Sequence, residues 1–248
     1  MHRFYVPPEN CRSEPLRLQG REAHHALHVL RLKRGDRVTV LDGAGNAFHA
    51  DVENAAQESL TLAVRENKTS PPPPCSITLL VAIPKGKIME DIVQKAVELG
   101  VQRIVPLLAE RVVLQFDDDG ADAKRAKWRH VAIEAIKQCG ATWLPGVEKP
   151  QTIPEFLARK EMAELSFVGS LQDPRRHPRE WILEYQRQHG RLPRSTAAWI
   201  GPEGDFTPAE LRSIEAAGAK PITLGDLTLR VETAAIYCLS FLNYELRP

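Results

Sequence analysis

The stretch "TAAWIGPEGDFTPAE", residues 196–210, changes from an apolar run to a Gly- and Pro-rich turn and then to helix-start signals. The apolar run at 196–200 is typical of a buried strand. Thr207, Pro208 and Glu210 supply an N-cap, a first-turn proline and a capping-box partner. The stretch therefore predicts a strand, a turn and a helix, the succession from which α/β sheets are built.

The turn itself has the features of a ligand loop, because α/β proteins hold ligands at the carboxyl ends of strands. Gly201 and Gly204 are expected to allow backbone torsions, or a close approach of backbone to ligand, that a side chain would prevent. The usual ligand of such a turn is a phosphate. Glu203 and Asp205, with no Lys or Arg beside them, give this turn the wrong charge for a phosphate. We expect a neutral or cationic ligand; the alternative is a connection that is merely rich in Gly and Pro.

Strand-type and helix-type segments alternate from residue 71 to residue 248. The strand-type segments read "SITLLVAI", "VQRIVPLL", "LSFVG", "TAAWI" and "PITL". The helix-type segments cover residues 87–99, 122–139, 154–163 and 179–188, the capped helix to 217 and a final helix to 246. Gly100 and Gly140 are placed to end the first two of these helices. The alternation predicts an α/β domain with a mostly parallel sheet over residues 71–248.

A run of prolines separates this region from a different pattern. The segment "NKTSPPPP", residues 67–74, contains four consecutive prolines, which favour an extended spacer over helix or interior strand. Before it, "RFYV", "DRVTVLDG", "AFHADVE" and "SLTLAV" are typical of short strands separated by turns, with one helix at 20–31. We therefore predict a small β-barrel domain over residues 1–70.

Overall charge and hydropathy exclude some classes of protein. The 248 residues carry a net charge of +1, so any RNA contact has to come from local patches. No apolar run is long enough to span a membrane, and no secretory signal core is present. These observations predict a cytoplasmic protein.

Neither a metal site nor a disulfide framework is predicted. The four cysteines, at 11, 75, 139 and 238, form no C-x-x-C pair, and we expect buried free thiols. His24 and His28 have the i, i+4 spacing of metal ligands, but no third ligand is apparent.

Five segments, in order, resemble one known family. They are "HHALHVLR" (24–31), "KGKIMEDIVQKAVELGVQRIVPL" (85–107), "EAIKQCG" (134–140), "IGPEGDFTPAE" (200–210) and "LGDLTLRVETAAIY" (224–237). The sequence is similar to the 16S ribosomal RNA uracil N3-methyltransferases, ribosomal small subunit methyltransferase E, of the SPOUT superfamily. The likeness spans nearly the whole sequence, and the last two segments are highly specific as a pair.

The resemblance implies a fold and a cofactor. The fold would be a PUA-like RNA-binding β-barrel over residues 1–70, followed by a SPOUT-type α/β methyltransferase domain over 71–248 with a C-terminal trefoil knot. Similar enzymes bind S-adenosylmethionine in the knot through the backbone of three loops. Because this cofactor bears a sulfonium cation and no phosphate, it suits the acidic turn. The matching residues here are Val168, Gly169, Ser170, Ile200, Gly201, Pro202, Glu203, Gly204, Leu224, Gly225, Leu229, Thr233 and Ala234.

The resemblance also implies the reaction. The enzyme would methylate N3 of one uridine, expected to be uracil 1498, in the 16S ribosomal RNA of the small ribosomal subunit. The nucleophile is an imide nitrogen that must lose its proton. Arg230 is the candidate for stabilising negative charge on the uracil oxygens, and Glu232 for orienting Arg230 or receiving the proton. The alternatives are a solvated surface charge for Arg230 and a helix-dipole partner for Glu232.

A modest positive patch in the first domain predicts RNA contact. Residues 21–37 contain five basic residues against two acidic ones. Arg3, beside Phe4 and Tyr5, could add a stacking surface for RNA, with core packing of the two aromatic rings as the alternative. The RNA-binding candidates are Arg3, His28, Arg31, Lys33, Arg34 and Lys85.

The resemblance implies a homodimer, because related enzymes pair through the C-terminal domain and complete the active site with a partner subunit. The apolar final helix, with Ile236, Leu239 and Leu242 on neighbouring turns, agrees with such an interface. Core packing explains the same pattern equally.

The sequence departs from the family in two places. Many members have Gly-Gly-Phe where this chain has Gly204, Asp205 and Phe206, and an Arg where it has Ala141. If that Arg helps to hold RNA in relatives, its role here is moved or lost. Two other functions stay open at this point: a SPOUT-type methyltransferase acting on transfer RNA or on ribose, and a non-catalytic RNA-binding protein that kept the fold.

Overall fold

The computed structural model describes residues 2–12, 15–56, 58–111, 118–172 and 174–247. The chain forms two compact units. The first contains residues 1–72 and 133–144, and the second contains residues 73–132 and 145–248. The segment 133–144 thus groups with the first unit, whereas the predicted boundary at residues 70 and 71 assigns it to the second domain.

The first unit is built on a five-stranded sheet. Its strands are β1 (His2–Tyr5), β2 (Leu16–Leu18), β3 (Arg37–Leu41), β4 (Asn46–Ala55) and β5 (Leu60–Thr69), in the spatial order β1-β3-β4-β5-β2. β1 pairs with β3 in parallel, and the other neighbours are antiparallel. The β4–β5 ladder shifts register twice, between His49 and Ala50 and between Val52 and Asn54. Irregularities of this kind bend a sheet.

All five strands contribute to one hydrophobic core. Phe4 of β1, Leu18 of β2, Val38 of β3 and Leu60 of β5 are fully buried in it. Both edge strands therefore face the same interior, as in a small barrel, although no ladder joins β1 to β2 among the residues described. The four predicted strands are confirmed, whereas β2 and the short helix α1 (Pro8–Cys11) were not predicted.

One helix closes this core. α2 (Gly20–His24) passes into a π-helical turn, His25–Val29. Ala23 and Ala26 on its inner face are buried. The predicted helix at 20–31 is confirmed up to residue 29, but Arg31 lies beyond the turn with a φ of 55°.

The segment 133–144 packs on the turn between β3 and β4. Gly43 and Gly45 have φ values of 71° and 99°, and a Cβ on either would lie within 2.8 Å of Leu144 or Trp143. The amide of Gly45 donates to the Thr142 carbonyl at 2.9 Å, and the amide of Leu144 donates to the Gly43 carbonyl at 3.0 Å. The two glycines are therefore required both by their backbone torsions and by this close approach.

The predicted spacer at 67–74 is wrong for its first three residues, because β5 extends to Thr69. Asn67 pairs with Phe48, and the Thr69 hydroxyl donates to the side-chain oxygen of Asn46 at 2.7 Å. The loss of backbone donors begins only at Pro71, so the ladder continues up to that point.

The second unit contains a parallel sheet of seven strands: β6 (Ser76–Ala82), β7 (Arg103–Leu108), β8 (Gly146–Val147), β9 (Gln151–Thr152), β10 (Leu165–Gly169), β11 (Ser195–Ile200) and β12 (Lys220–Ile222). The spatial order is β12-β10-β11-β6-β7-β8, and β9 also pairs with β7. Every ladder is parallel. The predicted parallel α/β sheet is confirmed, although β8 and β9 were not predicted.

Helices cover both faces of this sheet, as a parallel sheet requires. Phe167 on β10 meets Phe241 of the last helix, with ring centroids 6.1 Å apart, while its neighbour Val168 lies in the core formed with two other helices. Successive strand residues thus serve opposite faces. The helices are α3 (Ile88–Glu98), α4 (Asp118–Cys139), α5 (Ile153–Ala158), α6 (Pro178–His189), α7 (Pro208–Ala216) and α8 (Val231–Leu246).

Two of these helices differ from prediction in their bounds. α4 begins at Asp118, four residues before the predicted start. α5 ends at Ala158 and not at 163, and Lys160 just beyond it has a φ of 54°, which no helix residue adopts. The left-handed residue stops the helix without a glycine, so the sequence carried no clear stop signal.

Candidate functional site

A cleft lies at the carboxyl edge of the parallel sheet, where the loops after β10, β11 and β12 meet. These three strands are adjacent in the sheet, so their ends bring three loops to one place. The cleft has an empty volume of about 570 Å³, including space open to solvent. Its lining residues are Gly169, Ser170, Leu171, Arg175, Ile200, Gly201, Pro202, Glu203, Asp205, Leu224, Gly225, Leu227, Thr228, Leu229, Val231 and Ala234.

The loop after β11 is held firmly on its outer side. At the start of α7, the Thr207 hydroxyl accepts a hydrogen bond from the Glu210 amide, and the Glu210 carboxylate accepts one from the Thr207 amide at 2.8 Å. This confirms the predicted capping box. The same carboxylate accepts the amide of Glu110 at 2.8 Å, and Arg111 donates to the carbonyl of Gly204. The loop is therefore tied to the end of β7.

The two glycines of this loop, Gly201 and Gly204, were expected to adopt backbone torsions that a side chain would prevent. This expectation is wrong, because neither has a positive φ. The left-handed residue is Asp205, with a φ of 63°. At Gly201 the reason is close approach: a Cβ there would lie 3.1 Å from the Phe206 amide nitrogen, so its neighbours would have to move. Gly204 is exposed and lies outside the cleft lining, and a Cβ there would meet only the side chain of Arg111, at 3.4 Å or more.

The other two loops are joined to each other. The amide of Ser170, after β10, donates to the carbonyl of Ile222 in β12 at 3.2 Å. Arg175 folds back and donates to the Ser170 carbonyl at 3.2 Å. After β12, Gly225 has a φ of 109°, which L residues rarely adopt, and its amide donates to the Thr223 hydroxyl.

The charges of the cleft suit a cationic ligand. Glu203 and Asp205 bring two carboxylates, and Arg175 is the single cation among the described lining residues. A phosphate would meet net negative charge here, in agreement with the sequence argument. The first turn of α8 also borders the cleft through Val231 and Ala234, so amides with no partner inside that helix lie near this wall. The cleft therefore offers carboxylates for a cation and helix amides for an anionic group of the same ligand.

Comparison with known proteins identifies the family. An RNA methyltransferase domain model matches residues 71–243, and an RNA methyltransferase PUA domain model matches residues 18–64. Ribosomal RNA small subunit methyltransferase E of Synechocystis is 32% identical over 247 residues, which cover 98% of this chain and 77% of the relative. The chain belongs to the ribosomal RNA small subunit methyltransferase E family.

Solved structures agree with this assignment. The family member from Neisseria gonorrhoeae, bound to S-adenosylmethionine, superposes with a TM-score of 0.81 at 27% identity and covers 99% of this chain and 98% of its own. A Legionella pneumophila protein solved with the same cofactor gives a TM-score of 0.84 at 30% identity, covering 98% of this chain and 97% of its own. As a member of this family, the chain is an RNA methyltransferase with a PUA-like N-terminal domain.

Most residues predicted to bind the methyltransferase cofactor line the cleft. The three that do not are Val168, which is buried in β10, Gly204, on the outer side of its loop, and Thr233, which is exposed on α8. Six other lining residues were not among those assigned to the cofactor from the sequence: Leu171, Arg175, Asp205, Leu227, Thr228 and Val231. All six lie in or beside the three predicted loops, so taking each loop as a whole would have found them.

The two proposed catalytic residues lie at the N-terminus of α8. Arg230 is its N-cap and is exposed, and Glu232 is half-buried in its first turn. They flank Val231, which lines the cleft. No hydrogen bond or ion pair joins Arg230 to Glu232 in the part of the chain that the structure describes. The expected orienting contact is therefore not formed here.

The positive patch of the first unit is exposed. Its basic residues Arg21, Arg31, Lys33, Arg34 and Arg37 all face solvent. Of its two acidic residues, Glu22 pairs with a lysine outside the patch, whereas Asp36 is exposed and keeps its charge within it. The Glu22 carboxylate accepts hydrogen bonds from the Lys137 ammonium at 2.9 Å and the Tyr5 amide at 3.2 Å, and Asp36 accepts the Lys33 amide at 2.7 Å.

The remaining RNA-binding candidates have different surroundings. Arg3 donates to the carbonyls of Lys137 and Gln138, at 3.2 and 2.8 Å, near the end of α4. Its aromatic neighbours at 4 and 5 are buried, so the stacking interpretation is wrong and core packing is correct. His28 is exposed in the π-helical turn, and Lys85 is exposed in the loop between β6 and α3.

Within the described ranges, no group of three or more His, Cys, Asp or Glu side chains is arranged to hold a metal ion. The rings of His24 and His28 lie 4.8 Å apart, tilted against each other. Among the helices of the described residues, none has the length and apolarity to cross a membrane.

The cysteines are free, and three of them are shielded. Burial raises the pKa of the Cys75 thiol to about 11 and those of Cys11 and Cys238 to about 12. Cys139 is exposed at the end of α4 and Cys11 is only half-buried, so the expectation of buried thiols is confirmed for Cys75 and Cys238 alone.

Proposed function

We propose that this enzyme methylates N3 of one uridine, expected to be uracil 1498, in the 16S ribosomal RNA of the small ribosomal subunit. The observation that carries the proposal is the three-loop cleft, whose acidic, glycine-containing loop lacks the Lys or Arg that a phosphate ligand would need. The methyl donor is S-adenosylmethionine, which the solved relatives bind.

The residues of the cleft fit this cofactor. S-adenosylmethionine supplies a methyl group activated by a sulfonium cation. Glu203 and Asp205 provide negative charge for a cationic ligand. Gly201 allows Asp205 and Phe206 of the same loop to pack closely against it. We assign to this site the ten predicted residues that line the cleft, whereas Val168, Gly204 and Thr233 lie outside its lining.

Arg230 is proposed to stabilise the negative charge that develops on the uracil oxygens when N3 loses its proton. Its exposed position beside the cleft leaves its guanidinium accessible to a base presented from solution. Glu232, one residue beyond Val231, is proposed to accept the proton directly or through water. The lack of contact between the two side chains favours separate roles over a preformed pair.

The two domains are proposed to have different roles, RNA binding in the first and catalysis in the second. The first unit, residues 1–72 with 133–144, would be the PUA-like domain that holds RNA through Arg31, Lys33 and Arg34. The second unit, residues 73–132 with 145–248, would be the catalytic domain. The exposure of these three cations, and the pairing of Glu22 with Lys137 outside the patch, support this role. Lys85 is proposed as an RNA contact of the catalytic domain. Arg3, with its donors on two carbonyls, is proposed as a weaker contact.

A trefoil knot in the SPOUT manner is proposed for the catalytic domain. β12 lies at one edge of the sheet, whereas the next element, α8, returns to pack on α3 and on the central strands β6 and β11. The connecting residues share the cleft with the loops after β10 and β11. A knot requires the chain to pass through a loop, and this return path beside two other loops agrees with such a passage.

A homodimer through the catalytic domain is also proposed. Leu239 and Leu242 are buried in the core, so core packing explains them. The stronger support comes from Leu227, 79% exposed at the cleft, and from Tyr237 and Tyr244 on α8, which are 46% and 82% exposed. Tyr237 and Tyr244 are two turns apart on α8 and therefore share one face of it, and apolar side chains exposed on one face are typical of an interaction surface. Sedimentation at micromolar concentration is expected to show dimers, and monomers would contradict the proposal.

The decisive experiment analyses the product. Small subunits and free 16S RNA from cells lacking the enzyme are incubated with it and with S-adenosylmethionine, and the nucleosides are identified by mass spectrometry. We expect 3-methyluridine at a single position. A 2′-O-methylated nucleoside, or methylation of transfer RNA in a parallel reaction, would contradict the proposed target. This substrate places the enzyme in the cytoplasm, where ribosomal subunits are present.

A further inference from the structure

We propose that Asp205 makes the cleft prefer the positively charged methyl donor over its uncharged-sulfur product. The inference rests on the proposed function of the cleft as the cofactor site. Asp205 lines the cleft and is half-buried in its wall. It is also one of three non-glycine residues with a positive φ among those described, and the only one of these in the cleft lining.

The backbone of Asp205 is held in a sparsely populated conformation. Its φ of 63° lies in the left-handed region, which most L residues avoid and which Asp tolerates better than most. Such conformations persist where the surroundings fix them, and they occur preferentially at functional sites. Here Arg111 holds the carbonyls of Gly204 and Asp205, the latter at 3.4 Å.

The carboxylate of Asp205 is fixed by contacts to two loops. Its Oδ1 accepts the amide of Phe206 at 2.8 Å, within the loop after β11. Its Oδ2 accepts the amide of Leu171 at 3.4 Å, from the loop after β10. Gly201 leaves the room for this arrangement, because a Cβ there would lie 3.2 Å from the same Oδ1. A negative charge is therefore built into the wall where the two loops meet.

The charge of the ligand changes during the reaction. S-adenosylmethionine has a sulfonium, an ammonium and a carboxylate, and so a net charge of about +1 at neutral pH. Transfer of the methyl group leaves a neutral thioether, and S-adenosylhomocysteine has no net charge. A fixed carboxylate attracts the first ligand more than the second, and partial burial strengthens the attraction. Asp205 thereby favours cofactor binding and product release.

Three variants separate charge from shape. Asp205→Asn keeps the size of the side chain and one acceptor oxygen but removes the charge. Asp205→Gly removes the side chain and its contact with Leu171, at a position where glycine is unstrained. Asp226→Asn is the matched control, because Asp226 is an exposed carboxylate in the loop after β12 and lies outside the cleft lining.

The test measures the dissociation constants of both ligands by calorimetry at low ionic strength. The quantity compared is the ratio of Kd for S-adenosylhomocysteine to Kd for S-adenosylmethionine. We expect Asp205→Asn to lower this ratio about three- to tenfold, mainly by weakening the charged ligand. Asp205→Gly should lower the ratio similarly and also weaken both ligands. Asp226→Asn should leave it within about twofold of wild type.

Other results would contradict either the role of Asp205 or the position of the cofactor site. An unchanged ratio in Asp205→Asn or, should that variant not fold, in Asp205→Gly overturns the inference. An equal change of the Kd ratio in Asp226→Asn also overturns it, since the preference would then come from the overall negative charge around the cleft and not from Asp205. If wild type binds neither ligand, or if Gly201→Val leaves binding intact, the cofactor site itself is misplaced. Binding that Gly201→Val abolishes, together with an unchanged ratio, refutes only the role of Asp205.

Discussion

The backbone amide of Glu110 donates a 2.8 Å hydrogen bond to the carboxylate of Glu210, a residue 100 positions later in the sequence. Glu210 is buried and also completes the capping box of α7 with Thr207. One carboxylate thus satisfies two backbone amides, one at the end of β7 and one at the end of the cleft loop.

We expect Glu210→Ala to destabilise the protein by about 1–3 kcal/mol, because it leaves both amides without a partner. Glu210→Gln, which keeps one acceptor oxygen, should lose less. Urea unfolding followed by circular dichroism measures the difference. Glu215→Ala, on the exposed side of the same helix, is the control and should stay within about 0.5 kcal/mol of wild type.

Gly201→Val should abolish binding of S-adenosylmethionine while the protein stays folded. The branched side chain would collide with the Phe206 amide and with the position that the Asp205 carboxylate occupies. Gly204→Ala is the matched control, because Gly204 is exposed and has a φ outside the left-handed region. Calorimetry should give near wild-type affinity for this control. Equal affinity in both variants would refute the cleft as cofactor site.

Arg230→Ala should lower the single-turnover methylation rate about 100-fold, with little loss of RNA affinity. The reason is that its proposed contact strengthens only as charge develops on the base. Arg230→Lys keeps the positive charge and should recover part of the rate. A variant that methylates at the normal rate would show that Arg230 is only a surface charge.

Arg31→Ala should weaken RNA binding and flatten its salt dependence by about one unit of slope, because one phosphate contact is lost. Backbone strain at this position should be similar in both proteins, since Arg and Ala each have a Cβ. Arg17→Ala, an exposed arginine on β2 outside the patch, is the control. If both variants bind RNA with the same affinity and salt slope as wild type, the patch is a solvent-exposed surface that does not contact RNA.

Stability at low pH should depend on Glu164. The Arg191 guanidinium, the Arg194 amide and the Tyr185 hydroxyl donate to its carboxylate and lower its pKa from 4.5 to about 2. Because this pKa is lower in the folded state, the stabilisation is complete above about pH 5 and is lost as pH falls towards 2. Urea unfolding from pH 6 to 2.5 should show a smaller decline for Glu164→Gln. The exposed control Glu215→Gln should decline as wild type does.

The fold was largely predictable because the second unit follows simple rules. Buried parallel strands read as apolar runs, and Gly100 and Gly140 end their helices with φ values of 75° and 86°. The missed strands β8 and β9 have two residues each, too few to show a period. The grouping of 133–144 with the first unit depends on tertiary contacts that no local pattern encodes.

The candidate site was predictable as three loops but not as a set of side chains. Strand ends and Gly-containing turns located the loops after β11 and β12. Asp205 was visible as part of an acidic turn and as a departure from the family pattern. Its left-handed backbone could not be read from residue type, because φ there is fixed by contacts with Phe206, Leu171 and Arg111. For the same reason, residue type could not show that close packing applies at Gly201 and not at Gly204.

The close fit of residues 142–144 against the Gly43–Gly45 turn has a practical consequence for dissecting the enzyme. A fragment cut at the proline run would lose the partners of both glycines, and the Glu22 carboxylate would lose its Lys137 counter-ion. Arg3 would lose its carbonyl acceptors as well. The first unit is therefore discontinuous in sequence, and a ribosome making this protein must reach residue 144 before that unit can be completed.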